Sequence, residues 1–312
     1  MIKKVFSYGF FALAAGFFLM WAGTAAKAGV GGENEDFLKE EMKWREKRDQ
    51  SMRSPTSWLT IAGLYWLDEG ENTFGTAKTN KLILPSESAP DFCGTFILGE
   101  DKVRIVTAKG AGIKIESEEI KEKILTGDNQ GKPDILELND LRMWVIKRGS
   151  RFAIRMRDFN APAYKKYKGL EFFPPNETFR IKGNFVPYDK EKIIEVTTVA
   201  GTKAEMVSPG YILFTMDGKE HRLEAFKADE KNTQLFIVFK DLTNGEETYE
   251  KGRFMIANVP DKGKVNLNFN RAYNPPCNYT PYATCPVPPP EANWLKVRIE
   301  AGEKAYAGRL HH

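Results

Sequence analysis

Residues 211–226 read YILFTMDGKEHRLEAF: two strand-like runs, Tyr211–Met216 and Arg222–Phe226, set around Asp217-Gly218. A type I′ turn needs positive φ at both central residues, and Asp-Gly meets that need at little steric cost, so the stretch predicts a β-hairpin. Asn244-Gly245 repeats the signal. Upstream, short apolar or alternating runs occur at Lys81–Leu84, Thr95–Leu98, Val103–Thr107 and Gly112–Glu116. Met143–Lys147 and Phe152–Arg157 then flank a turn at Arg148-Gly149-Ser150. A second group follows Phe179, with runs at Ile193–Val199, Leu235–Lys240, Arg253–Ala257, Val265–Phe269 and Trp294–Glu300. No helical pattern separates consecutive strands, which argues against βαβ units. The expected fold is mainly β, an antiparallel sandwich or barrel-like meander.

One helix precedes the strands, from Glu33 to about Met52. Its first turns carry Glu33, Glu35 and Asp36 and its last Lys47 and Arg48, as the helix dipole favours, and Ser54-Pro55 ends it. Phe37, Leu38, Met42 and Trp44 form a partial apolar stripe, with Trp44 the expected contact to the β body. The chain then divides into residues 1–28, a signal peptide; 29–56, the helix; and 57–160, a first β subdomain. Residues 161–178 form a proline- and aromatic-rich crossover, and 179–312 a second β subdomain carrying a proline-rich lid over 273–290.

The N-terminal assignment rests on Lys3 and Lys4, the uncharged run Val5–Gly23, and Ala26-Lys27-Ala28 as a cleavage site. It implies a periplasmic or secreted protein; the alternative is an N-terminal membrane anchor. The chain holds 46 Lys+Arg against 42 Asp+Glu. Without Lys3, Lys4 and Lys27 the balance is 43 against 42, and signs alternate along the sequence. Nucleic-acid binding is therefore not expected, nor membrane contact after cleavage. A small molecule is the partner the chain suggests, and the sequence leaves the oligomeric state open.

Catalytic signatures are sparse. His221 is the one histidine apart from His311 and His312, and it reads as a surface strand position; no Gly-x-Ser-x-Gly elbow surrounds any serine. No P-loop or dinucleotide fingerprint opens a helix, and no cluster has zinc-ligand spacing, so no cofactor or metal is expected. Cys277 and Cys285 can close a short disulfide loop, whereas Cys93 reads as a buried apolar side chain.

The stretch Asn266–Pro290, NLNFNRAYNPPCNYTPYATCPVPPP, is stiff with proline. Strand parity puts Val265, Leu267 and Phe269 on one face and Asn266, Asn268 and Asn270 on the other. With Phe254 and Ile256 assigned to the core, a hairpin through Pro260–Gly263 brings Arg253 beside Asn268 and Asn270. Arg253, Asn270 and Arg271, with Asn268 adjoining and Tyr273 and the prolines as rim, then outline a polar cleft for an anionic or hydroxyl-rich ligand.

The chain resembles the bacterial and archaeal family called domain of unknown function 1684, over nearly all of the sequence after the signal. Phe269-Asn270-Arg271-Ala272-Tyr273-Asn274-Pro275-Pro276-Cys277, leading to Ala283-Thr284-Cys285-Pro286, carries the most specific match. Trp58-Leu59, Gly63-Leu64, Trp66-Leu67, Phe172-Phe173-Pro174, Phe239-x-Asp241-x-Thr243-x-Gly245, Gly252-Arg253-Phe254 and Ala301-Gly302-Glu303 extend it. The resemblance implies no particular reaction. It does imply that Cys277 and Cys285 belong to a shared pattern and Cys93 does not, and it sets Asn268 where many relatives have Asp. Through it Asp241 and Glu303 become candidate carboxylates. The rival to ligand binding is a cofactor-independent hydrolase or lyase using Asp241, Glu303 or a Cys277 thiolate. An ion pair between Asp241 and Arg253 is the simpler account of those two residues.

Overall fold

The computed structural model describes residues 30–229, 231 and 233–308, with side chains from Asn34 onward. The expected signal peptide over 1–28 and the residues His311 and His312 lie outside them. Asp217 and Gly218 have φ of 52° and 70°, and the hairpin closes on a Met216–Lys219 pair. It is the centre of a six-stranded sheet ordered Arg253–Asn258, Gln234–Phe239, Lys219–Lys227, Lys203–Met216, Arg180–Thr197, Lys264–Asn268. The two end strands approach each other, so the sheet curls into a nearly closed antiparallel barrel. Its interior is filled by Ile212, Leu223, Ile237, Phe239, Met255, Leu267 and Phe269, a buried apolar core.

The first group of strands forms two sheets sharing a second core. One is six-stranded: Ile61–Trp66, Arg151–Asp158, Leu141–Arg148, Leu136–Leu138, Lys114–Ile115, Glu118–Glu119. The other is five-stranded: Leu82–Ile83, Gly70–Gly75, Gly94–Gly99, Lys102–Thr107, Glu122–Leu125. Phe74, Phe96, Ile105, Met143, Ile154 and Met156 pack between them, with Cys93 fully buried among them. Pairing is antiparallel except for Gly70–Gly75 against Leu82–Ile83.

Three local expectations change. Asn244-Gly245 does not join two strands; it lies in the irregular loop between Phe239 and Arg253, where Asn244 caps Asp241 N and donates to Tyr249 O. Trp294–Glu300 makes one bridge, at Lys240, and no strand; its Ile299 carbonyl accepts from a side chain described below. The helix spans Val30–Met52 and buries a different stripe. Phe37, Glu41 and Met52 are buried and Trp44 meets Phe172 edge-on at 6.2 Å, while Leu38 and Met42 stay exposed. The buried positions recur every three or four residues, as a helix face requires, yet the face includes Glu41 and Arg48. Apolar counting alone missed it because its docking depends on charge.

Candidate functional site

The strand Arg253–Asn258 is apolar on both faces, so parity read from Phe254 and Ile256 is inverted. Met255 and Ala257 enter the barrel core, and Arg253 shares their face. Phe254 instead lies outside, in a small cluster with Cys277, Cys285 and Tyr249, and Ile256 is exposed. The expected Arg253 neighbour is also wrong: Arg253 pairs with Phe239, and Val265–Asn268 pairs with the Arg180–Thr197 strand. Arg253 is fully buried, with Nη2 2.6 Å from Asp241 Oδ2 and 2.9 Å from Ile299 O. Its Nη1 donates to Ala301 O. Asp241 Oδ1 accepts from Thr243 N at 2.8 Å and Thr243 Oγ1 at 2.7 Å.

The asparagines are spent elsewhere. Asn270, in a 3-10 turn over Phe269–Arg271, accepts from Asn176 N at 2.8 Å and donates to Asn176 O at 2.9 Å, clamping the crossover. Asn268 Nδ2 donates to Glu41 Oε1 at 2.8 Å, and Arg271 Nη2 lies 3.0 Å from the same carboxylate. An aspartate at 268 would face Glu41 with like charge, so asparagine fits this chain. The expected cleft of Arg253, Asn268, Asn270 and Arg271 is thus two separate fasteners, one inside the barrel and one beneath the helix.

Glu303 forms a third. Its carboxylate is fully buried and accepts from Arg48 Nε at 2.6 Å, Tyr279 OH at 2.7 Å and Asn274 N at 2.9 Å. Burial and then the Glu303 carboxylate push the Tyr279 hydroxyl well above its ordinary range. The Arg48 guanidinium rests over the rings of Trp58 at 4.6 Å and Tyr273 at 5.2 Å. Gly302, at φ +82°, delivers Glu303 to this position, and a Cβ there would stand 2.4 Å from Ala272 O. Gly302→Ala is expected to cost roughly 2–3 kcal/mol in urea unfolding, since strain and clash act together. Asp241 and Glu303 are each consumed by a fixed cation and hydrogen-bond donors, an arrangement that holds a fold and leaves neither free to move protons.

Several buried polar atoms lack a partner, and one of them, Arg155 Nε, belongs to a residue lining a crevice. On the Leu141–Arg148 and Arg151–Asp158 strands alternate residues leave the first core, so Trp144, Arg148, Arg155 and Arg157 share the outer face. The proline-rich segment lies over that face, tied down by Thr280 Oγ1 to Ile61 O at 2.7 Å. Between them is a crevice of about 300 Å³ lined by Trp58, Trp144, Arg155, Arg157, Phe254, Pro276 and Ala283–Pro286. Arg148 pairs with Asp128 at 2.8 Å, whereas neither Arg155 nor Arg157 forms an ion pair among the described residues. Arg157 donates to Thr60 Oγ1 at 2.7 Å and to Ser57 O. Arg155 has only two long contacts of 3.4 Å, to Tyr282 O and Thr284 Oγ1, and its buried Nε has no partner. Burial first, and then the neighbouring Arg148 cation, pull its guanidinium down to about 10. Larger hollows lie beside Tyr306 and beside Phe37, but no residue lining them buries an unused polar atom.

Cys285 lines the crevice and Cys277 sits behind it. The structure holds them as thiols in contact rather than as the expected disulfide: Cys277 N donates to Cys285 Sγ at 3.2 Å, and the two side chains hydrogen-bond. Burial, with the Cys277 thiol next, pushes the Cys285 thiol well up, the opposite of a thiolate nucleophile at rest. His221 is half-buried against Phe214, 5.5 Å between rings, rather than at the surface. Among the described residues no group of three or more His, Cys, Asp and Glu side chains has metal-binding geometry, and no helix is long and apolar enough to cross a membrane.

Residues 165–304 match the family described as Protein of unknown function (DUF1684). The stretch from Trp58 to Leu67 therefore lies outside the matched segment. A solution NMR structure of an uncharacterized protein of Haloarcula marismortui is 31% identical, covering 45% of this chain and 78% of that one, with a TM-score of 0.39. A structure described under phosphothreonine-dependent FHA domain interactions is 14% identical, covering 30% of this chain and 92% of that one, with a TM-score of 0.22. No curated protein matches. The family match thus places a DUF1684 domain, a domain of unknown function, over residues 165–304 of this chain.

Proposed function

We propose that this chain is an exported binding protein that holds a small anionic ligand in the crevice between its two β bodies. Arg155 carries the reading: a largely buried cation that forms no ion pair of its own, since the nearby Asp128 is paired with Arg148, and has an unused Nε, facing a cavity beside two indole rings. A buried charge normally finds a partner, and a guanidinium offers a planar donor fork to carboxylate or phosphate-type oxygens. Trp58 and Trp144 would take the ligand's flat or apolar part. The hydroxyl-rich alternative is less favoured, since a neutral ligand leaves Arg155 unpaired. No observation favours the hydrolase or lyase reading with Asp241, Glu303 or Cys277: the two carboxylates are locked in ion pairs, and Cys277 is buried against Cys285.

The test uses the purified chain titrated with small carboxylates, phosphate esters and the fluorescent probe anilinonaphthalene sulfonate. Arg155→Ala is expected to weaken binding by roughly ten- to a hundredfold, the worth of a charge-assisted hydrogen bond. Arg151→Ala, on an exposed residue stacked on Trp66, should leave it unchanged. Equal affinities for wild type and Arg155→Ala, or no saturable binding at all, defeat the reading. Export rests on residues 1–28, and sequencing the N-terminus of the protein made in its own host should begin at Gly29.

A further inference from the structure

We propose that Cys277 and Cys285 are a reversible dithiol–disulfide pair whose oxidation locks the proline-rich wall of the crevice. The two thiols are already in hydrogen-bonding contact, and Cys277 N donates to Cys285 Sγ at 3.2 Å. The Cys285 end of the segment between them is fixed by the barrel: Val199 N donates to Cys285 O at 2.9 Å and Val287 N to Thr197 O at 2.9 Å. Each cysteine is largely inaccessible, at 7% and 5% exposure, but Cys285 lines the crevice, which gives an oxidant a route to one sulfur of the pair.

The reaction is thiol–disulfide exchange with a small disulfide such as oxidised glutathione. Cys285, once deprotonated, attacks one sulfur of the oxidant; a mixed disulfide forms and one glutathione thiolate leaves, taking up the proton. Cys277 then loses its proton and attacks Cys285 Sγ, closing the protein disulfide and releasing the second glutathione. The protein gives up two hydrogens and two electrons, and the oxidant becomes two thiols. Burial holds Cys285 protonated, so the first step is slow at neutral pH and quickens as pH rises, while the adjacent Arg155 cation favours the thiolate as it forms. The closed loop is short, and it would brace Thr284, Cys285 and Pro286, which form one wall of the crevice.

The reduced, folded chain is exposed to oxidised glutathione and followed by intact mass and peptide mapping. The expected product has lost two hydrogens, carries a Cys277–Cys285 link, melts several degrees higher and is restored by dithiothreitol. Cys93, fully buried with its thiol pushed up to about 11 by burial, should stay unmodified. Cys277→Ser should stop at a stable glutathione adduct on Cys285. A folded chain that keeps all three thiols while its denatured form oxidises overturns the pair, as does a Cys277→Ser chain that takes up no glutathione. Amide exchange across 276–287 should slow roughly tenfold or more on oxidation; unchanged exchange overturns the locking. Neither readout needs a ligand in the crevice, so the outcome is separable from that of Arg155→Ala.

Discussion

Arg253→Ala should unfold the barrel rather than empty a binding site. The side chain and Asp241 are both fully buried, and removing one partner leaves a carboxylate in the core with no cation. It also strips the carbonyls of Ile299 and Ala301 of their donors. Breaking a buried pair in this way costs about 3–5 kcal/mol, a large share of the 5–15 kcal/mol that holds a typical domain together. Urea unfolding should show a free energy lowered by that amount and a correspondingly lower midpoint, with loss of soluble protein at growth temperature. Removing both charges is expected to be milder: Arg253→Met with Asp241→Asn should recover part of the loss, because no ion is left stranded. Should Arg253→Ala unfold at the wild-type midpoint, the side chain is not the buried fastener described here.

What could be read from the amino acids follows the range of the force involved. Asp217-Gly218 fixes a turn through its own φ angles, so the hairpin and the β class were legible. Arg253 was not, for two reasons. Phe254, Met255, Ile256 and Ala257 are apolar on both faces, which removes the parity signal, and Lys264–Asn268 pairs with the distant Arg180–Thr197 strand rather than with the strand just before it. Arg155 and Arg157 do alternate with Ile154 and Met156, so their shared outward face could have been deduced from period two. The segment that covers them starts more than a hundred residues later, and nothing local encodes that meeting. The crevice is therefore a product of tertiary packing. The helix shows the converse failure: Glu41 and Arg48 fall outside the apolar stripe, and their partners on distant segments turn them into its docking face.

Glu303→Ala should produce the other large loss, and it should begin at the helix. Arg48 reaches Glu303 from the helix, Tyr279 and Asn274 reach it from the proline-rich segment, and Gly302 holds it against the barrel. Three pieces of the fold therefore meet on one carboxylate. Its removal strands the Arg48 cation over Trp58 and orphans two donors, for roughly 3–5 kcal/mol. Trp58 lies under Arg48, so its fluorescence should change in the native state of the variant, before any global unfolding. Tyr279→Phe deletes a single hydrogen bond to a charged group and should cost about 1.5–3 kcal/mol. It also changes the alkaline limb. Burial raises the hydroxyls of Tyr279, of Tyr273 to about 12 and of Tyr65 to about 12, so the folded state binds these protons more tightly than the unfolded chain does. That stability is complete below an ordinary tyrosine value near 10 and drains away as pH climbs through 12. Tyr279→Phe should therefore unfold less steeply with pH above about 10 than wild type does. An identical slope would mean that Tyr279 is not held protonated against Glu303.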